Sequence, residues 1–172
     1  ATVTALQEQL AAYGEDCNGD GKVVVKINQY TMAFNSEDSD AYLDMAGTTK
    51  LSTDIQSSLS SIFILYDPAG FQQTTGTLRY LDGSLPQSDA DNDWWNMVYH
   101  WDDCPVLAGL DLGDYTSDAV QNDSGSSQEL LSHYYIGIRG AWTKDAADLL
   151  SDGEALWQAL TAGAVSTVTK EG

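Results

Sequence analysis

Two stretches of the chain carry residue types and spacings that chemistry could use: "DCNGDGK" at 16–22 and "DNDWWNMVYHWDDC" at 91–104. The first reads like the front half of an EF-hand calcium loop. Such a loop sets oxygen ligands at positions 1, 3 and 5, glycine at 6, a backbone carbonyl at 7 and a bidentate Glu at 12. Asp16, Asn18, Asp20, Gly21 and Lys22 fill the first five roles, but Ile27 stands at the twelfth. Calcium requires six to eight oxygens. Three side chains and the Lys22 carbonyl supply too few, so the loop either binds Ca2+ weakly, with Kd on the order of 10⁻⁴ to 10⁻³ M, or is a plain polar turn. Asn, Gly and Asp suit the turn equally, because they tolerate left-handed backbone and bond their own amides.

In the second stretch Trp94, Trp95, Tyr99 and Trp101 crowd beside Asp91, Asp93, Asp102, Asp103 and His100. Exposed rings flanked by carboxylates stack sugars or hold cations, and aromatics also gather at protein interfaces. Packed in alternation, the same rings are core. Trp95, Met97 and Tyr99 fit one face of a strand with Trp101 next in line, which leaves Trp94 as the ring assigned to the surface. The candidate ligand-binding set is Trp94, Trp95, Trp101 and Asp102; the candidate metal set is Asp16, Asn18, Asp20 and Lys22.

No catalytic residue is assigned. Asp102 and Asp103 are adjacent, which on a strand points them to opposite faces. His100 and His133 lack metal-ligand spacing, "NDSGSS" lacks the G-x-S-x-G elbow, and no phosphate-binding loop or dinucleotide fingerprint occurs. A glycan hydrolase, the least favoured alternative, would need two carboxyl groups facing each other across a cleft.

The elements that must position these residues are legible in outline. "TALQEQLAAYG" predicts a helix, with Thr4 and Gln7 as a capping box, Leu6, Leu10 and Tyr13 on one face and Gly14 as a left-handed stop. "KVVVKINQY" predicts a strand burying Val25 and Ile27. Leu51, Ile55 and Leu59 stripe a second helix, and the unbroken apolar "SIFILYD" predicts a strand covered on both faces in a parallel sheet. Asp67 and Pro68 open a short helix. Beyond Thr77 the pattern loosens into short strands and loops, with "CPVLAGLDL" as the best strand and "TSDAVQNDSGSSQ" as the plainest loop. "HYYIGIRGAW" reads as a strand. "SDGEALWQALTAG" reads as a helix with Ser151 and Glu154 as a capping box, Leu156, Trp157 and Leu160 inward and Gly163 as stop.

Composition bounds the function. The 172 residues suit one domain, and 42% apolar with 19% charged residues is the make-up of a globular chain. Twenty-six acidic side chains against Lys22, Lys26, Lys50, Arg79, Arg139, Lys144 and Lys170 give a net charge of −19, which disfavours nucleic acid and anionic lipid as partners. No apolar run is long enough to span a bilayer. The acidic, Lys-poor, Trp- and Tyr-rich balance suggests an extracellular or surface-anchored protein, and with no signal peptide visible at Ala1 an exported chain is read here in mature or truncated form. Cys17 and Cys104 either form one disulfide or are two free thiols.

The alternation of helices and strands predicts one α/β domain over 1–172: three layers, with a mainly parallel central sheet flanked by helices and buried ribs 23–27 and 62–65 side by side. "KLSTDIQSSLSSIFILYDPAGFQQTTGTLRYLDGSLP", followed by "VLAGLDLG" and "YYIGIRGAW", resembles one lobe of the extracellular solute-binding proteins of ABC importers. The chain is also similar to uncharacterised secreted or lipid-anchored proteins of Gram-positive anaerobes. The resemblance implies one lobe of a periplasmic-binding-protein fold and a non-catalytic domain that binds a small solute or another surface protein. At this length two lobes cannot close within one subunit. The alternative is a structural scaffold domain of a cell-surface assembly.

Overall fold

The run Ile62–Leu65 is apolar at every position because both of its faces are covered. The computed structural model describes residues 2–30, 41–57, 60–88, 92–116 and 124–171. Helix α1 spans Thr2–Ala11 and α2 Ala41–Gln56; strand β1 is Ile62–Leu65 and α3 is Pro68–Thr75. A 3-10 turn at Trp94–Asn96 leads into β2, Val98–His100, and a second at Trp101–Asp103 into α4, Pro105–Ala108. Then follow β3 (Asp114–Thr116), β4 (Ser124–Ser126), α5 (Ser127–Leu131), β5 (Tyr135–Ile138), α6 (Lys144–Leu149) and α7 (Ser151–Leu160).

Strand β5 lies between β1 and β2 and runs antiparallel to both, with Ile64 opposite Ile136 and Val98 opposite Gly137. Strands β3 and β4 form a separate antiparallel pair. Side-chain alternation divides the larger sheet between two cores. Ile62, Ile64, Tyr99, Ile136 and Ile138 pack with Leu6, Leu10, Trp101, Trp157 and Leu160. Phe63, Leu65, Val98 and Tyr135 pack with Leu51, Phe71, Leu78 and Met97. Gly137 sits where the second core presses closest: a Cβ there would stand 3.0 Å from Leu78 and 3.1 Å from Val98.

The mainly parallel central sheet is therefore overturned. Both small sheets, of three and two strands, are antiparallel, and the chain is not a three-layer α/β lobe. An unbroken apolar run reports burial on two faces; it does not report strand direction. The expected rib 23–27 belongs to neither sheet and does not lie beside 62–65, whose partner is β5. Instead the Ile27 amide donates to the Gln7 side-chain oxygen at 2.9 Å, Val25 and Ile27 pack on the first core, and the Tyr30 hydroxyl donates to Asp54 of α2.

Smaller corrections have equally local causes. Helix α1 begins at Thr2, so Thr4 is interior and Gln7 is free to hold Ile27. Gly14 does not adopt a left-handed φ. The 105–108 stretch is helix, because Pro105 takes the first helical position where its missing N–H costs nothing. Ser151 is the first residue of α7 and not its cap, its hydroxyl donating to the Asp148 carbonyl. Helix α3 is as read, with Asp67 accepting from the Gly70 amide at 2.9 Å and Gly76 closing it at φ 58°. Both thiols are free: Cys17 is exposed, and burial pushes Cys104 up to about 12. Leu59 and Asp91 lie outside the described residues. Among those described, no helix is long and apolar enough to cross a membrane.

Candidate functional site

The 3-10 turn at Trp94–Asn96 is closed by its own backbone: the Asn96 amide donates to the Asp93 carbonyl and that of Met97 to Trp94, both at 2.9 Å. This turns Trp95 off the β2 face. The strand expected through Trp95, Met97 and Tyr99 is thereby cut to 98–100, with Met97 in the second core and Tyr99 against the first.

Trp95 lines a groove of about 500 Å³ with Tyr80, Asp82, Ser84, Asn96 and Ser166 among its walls. One wall is the Leu-Asp-Gly turn. Gly83, at φ 88°, donates its amide to the Tyr80 carbonyl, and the Tyr80 amide donates to the Ser84 carbonyl, each at 3.0 Å. Leu81 then ties this turn to the next, its amide donating to the Asn96 carbonyl at 2.9 Å. The Ser84 hydroxyl, and after it the Ser84 amide, hold the Asp82 carboxyl below its usual range, so Asp82 is anionic at neutral pH. The opposite wall is the segment after α7. Ser166 donates its hydroxyl to the Val98 carbonyl at 3.3 Å, and Lys170 places its ammonium 5.7 Å from the Trp95 ring centroid.

The four predicted ligand residues part company. Trp94 is half-buried on the second core, edge-on to Tyr135 at 6.2 Å and to Trp95 at 6.1 Å, so it supports the groove from behind where the sequence had assigned it to the surface. Trp101 is 0% exposed, its indole N–H donating to Gln128, which in turn donates to the Leu107 and Leu110 carbonyls. Asp102 is exposed and does not line the groove. Tyr80, Asp82, Ser84 and the 166–170 segment were missed. That the 80–84 turn faces Trp95 depends on long-range packing.

The 16–22 loop holds itself. Asp16 accepts from the Gly19 amide at 2.8 Å and the Gly21 amide at 2.7 Å, Asn18 from the Asp20 amide and Asp20 from the Lys22 amide. Gly19 and Gly21 supply φ of 74° and 78°. Lys22 is exposed, and Ile27 at the twelfth position packs on the core, so the residues present do not complete a calcium cage. Among the described residues, no group of three or more His, Cys, Asp or Glu gathers as a metal site.

No protein-family model, curated protein or solved structure matches this chain.

Proposed function

We propose that the chain is a non-catalytic binding domain of an extracellular or surface-anchored protein, and that it holds a small polyhydroxylated solute against Trp95. One observation carries this reading: a half-buried indole forms part of a groove lined also by the Asp82 carboxylate, the Asn96 carboxamide and the Ser84 hydroxyl, which donates to Asp82. A sugar presents an apolar C–H face to such a ring and hydroxyls to such a rim. The anionic Asp82 and the net charge of −19 favour a neutral ligand over an anionic one. The acidic, Lys-poor composition supports a place outside the cell. The reading rests on the groove and not on the importer-receptor resemblance, whose implied sheet is overturned.

The test is tryptophan fluorescence titrated with a panel of neutral mono- and oligosaccharides. A saturable change is expected from at least one sugar, weakened tenfold or more in Trp95→Ala and retained in Trp142→Ala, which removes an exposed ring outside the groove. A response indifferent to Trp95 sinks the proposal, and so does silence across the panel.

A further inference from the structure

Arg79 and Arg139 are the chain's two arginines, and both line a second cleft, of about 280 Å³. Backbone pairing brings them together. Leu78 bridges Arg139, the Arg79 amide donates to the Ile138 carbonyl at 3.1 Å, and the Arg139 amide donates to the Ser61 carbonyl at 2.8 Å. The first turn of α7 forms another wall through Leu150, Ser151 and Glu154.

The two guanidinium groups are treated differently. Arg79 takes Glu154 through both forks, Nη1 to Oε2 at 2.8 Å and Nη2 to Oε1 at 2.9 Å, yet its buried Nε–H has no partner. Arg139 is partly desolvated, which lowers its affinity for its proton, and it donates to one neutral acceptor, the Ile55 carbonyl. Among the described residues Arg79–Glu154 is the one ion pair, and none of their carboxylates pairs with Arg139. A half-buried guanidinium stays charged and gains from an anion that replaces the water it has lost.

We propose that this cleft binds a small organic monocarboxylate, its carboxylate on Arg139 and its alkyl part against Ile138, Ala147 and Leu150. Carboxylate geometry matches the guanidinium fork, as Glu154 already demonstrates on Arg79. Glu154 in the wall and the surrounding negative field disfavour a second negative charge, which sets the monocarboxylate above phosphate or a diacid. The site is separate from the Trp95 groove, and each proposal stands or falls alone.

The test is an amide-resolved NMR titration with isovalerate, isovaleramide and inorganic phosphate. Isovalerate is expected to shift amides of 139–154 saturably, and the other two to bind at least tenfold more weakly. Arg139→Gln is expected to weaken isovalerate tenfold or more. Ala147→Trp, which fills the cleft from its exposed side, is expected to do the same and decides alone if the arginine variant does not fold. Glu154→Gln is expected to tighten binding several-fold by freeing the Arg79 fork and removing a like charge. The proposal is overturned by equal binding of acid and amide, by phosphate binding as tightly as isovalerate, by no saturable shift, by binding that survives Ala147→Trp or a folded Arg139→Gln, or by unchanged or weaker binding in Glu154→Gln.

Discussion

Asp103 clamps Thr167: one carboxylate oxygen accepts the Thr167 hydroxyl at 2.8 Å and the other its amide at 2.9 Å. The second oxygen also accepts the His100 amide at 3.1 Å, so one side chain joins the end of β2 to the segment that walls the Trp95 groove. Hydrogen bonds to a charged acceptor contribute about 1.5–3 kcal/mol each, less where solvent reaches them. Asp103→Ala is expected to cost about 2 kcal/mol, or about 5 °C in Tm for a chain of this size. It should also red-shift tryptophan emission as Val168 and Lys170 leave Trp95. A Tm and emission both matching the parent would show that the clamp does not hold the segment.

A different contact fixes α7. A Cβ built on Gly153 would stand 1.9 Å from the Ser61 hydroxyl oxygen and 2.4 Å from the Ser61 Cβ. Gly153→Ala is therefore expected to destabilise by about 1–3 kcal/mol through overpacking, despite the better helix propensity of alanine. Ser61→Gly removes the atoms in the way, and the double variant should recover most of the loss as a coupling energy in denaturant titrations. Strict additivity of the two changes would place the strain elsewhere.

What the sequence made legible was local. The Asp67–Pro68 helix start and the inward Trp157 and Leu160 follow from rules acting within one turn of chain, and each is where those rules put it, whereas α7 stops at Leu160 with Thr161 as its cap and Gly163, at φ 76°, lies two residues beyond that cap. The failures share a cause in the other direction. Val23–Ile27 has β-branched residues in plenty, but a strand needs a partner, and Gln7 of α1 captures the Ile27 amide instead. Ile62–Leu65 is a strand, yet its direction was decided by β5, seventy-odd positions away. Trp95 reached its groove because the Leu81 amide bonds Asn96, and Arg139 met Arg79 through a backbone bridge. Neither juxtaposition leaves a mark on residue spacing.

The Arg79–Glu154 pair should give stability a specific acid limb. Hydrogen bonds from Arg79, outweighing partial burial, hold the Glu154 carboxyl below its ordinary value. A group whose folded value is depressed contributes stability that is fully present above its unfolded value, about 4.3, and that is lost as pH falls through the folded value. Glu154 is 40% exposed, so solvent screens the effect. Because acid also relieves the repulsion of a −19 chain, the quantity to follow is the Tm difference between the parent and Glu154→Gln. It should be positive and flat from pH 7 to about 5 and shrink below about pH 4. A difference independent of pH would assign Glu154 a packing role alone.

Calcium and the 16–22 loop make opposite predictions about melting. A native-state ligand stabilises by RT ln(1 + [L]/Kd), so a site of Kd about 10⁻³ M would add about 1.4 kcal/mol at 10 mM calcium, raising Tm by about 3–5 °C. The loop already spends Asp16 on the Gly19 and Gly21 amides, and the Asn18 and Asp20 side chains on the amides of Asp20 and Lys22. Its twelfth position, Ile27, offers no carboxylate. The expected outcome is one Tm in chelator and in 10 mM calcium, with Asp16→Ala lowering it by a similar amount in both, since that change orphans two amides whatever the ion. A calcium-dependent rise that vanishes in Asp16→Ala would instead mean that the ion recruits its missing oxygens from beyond the loop.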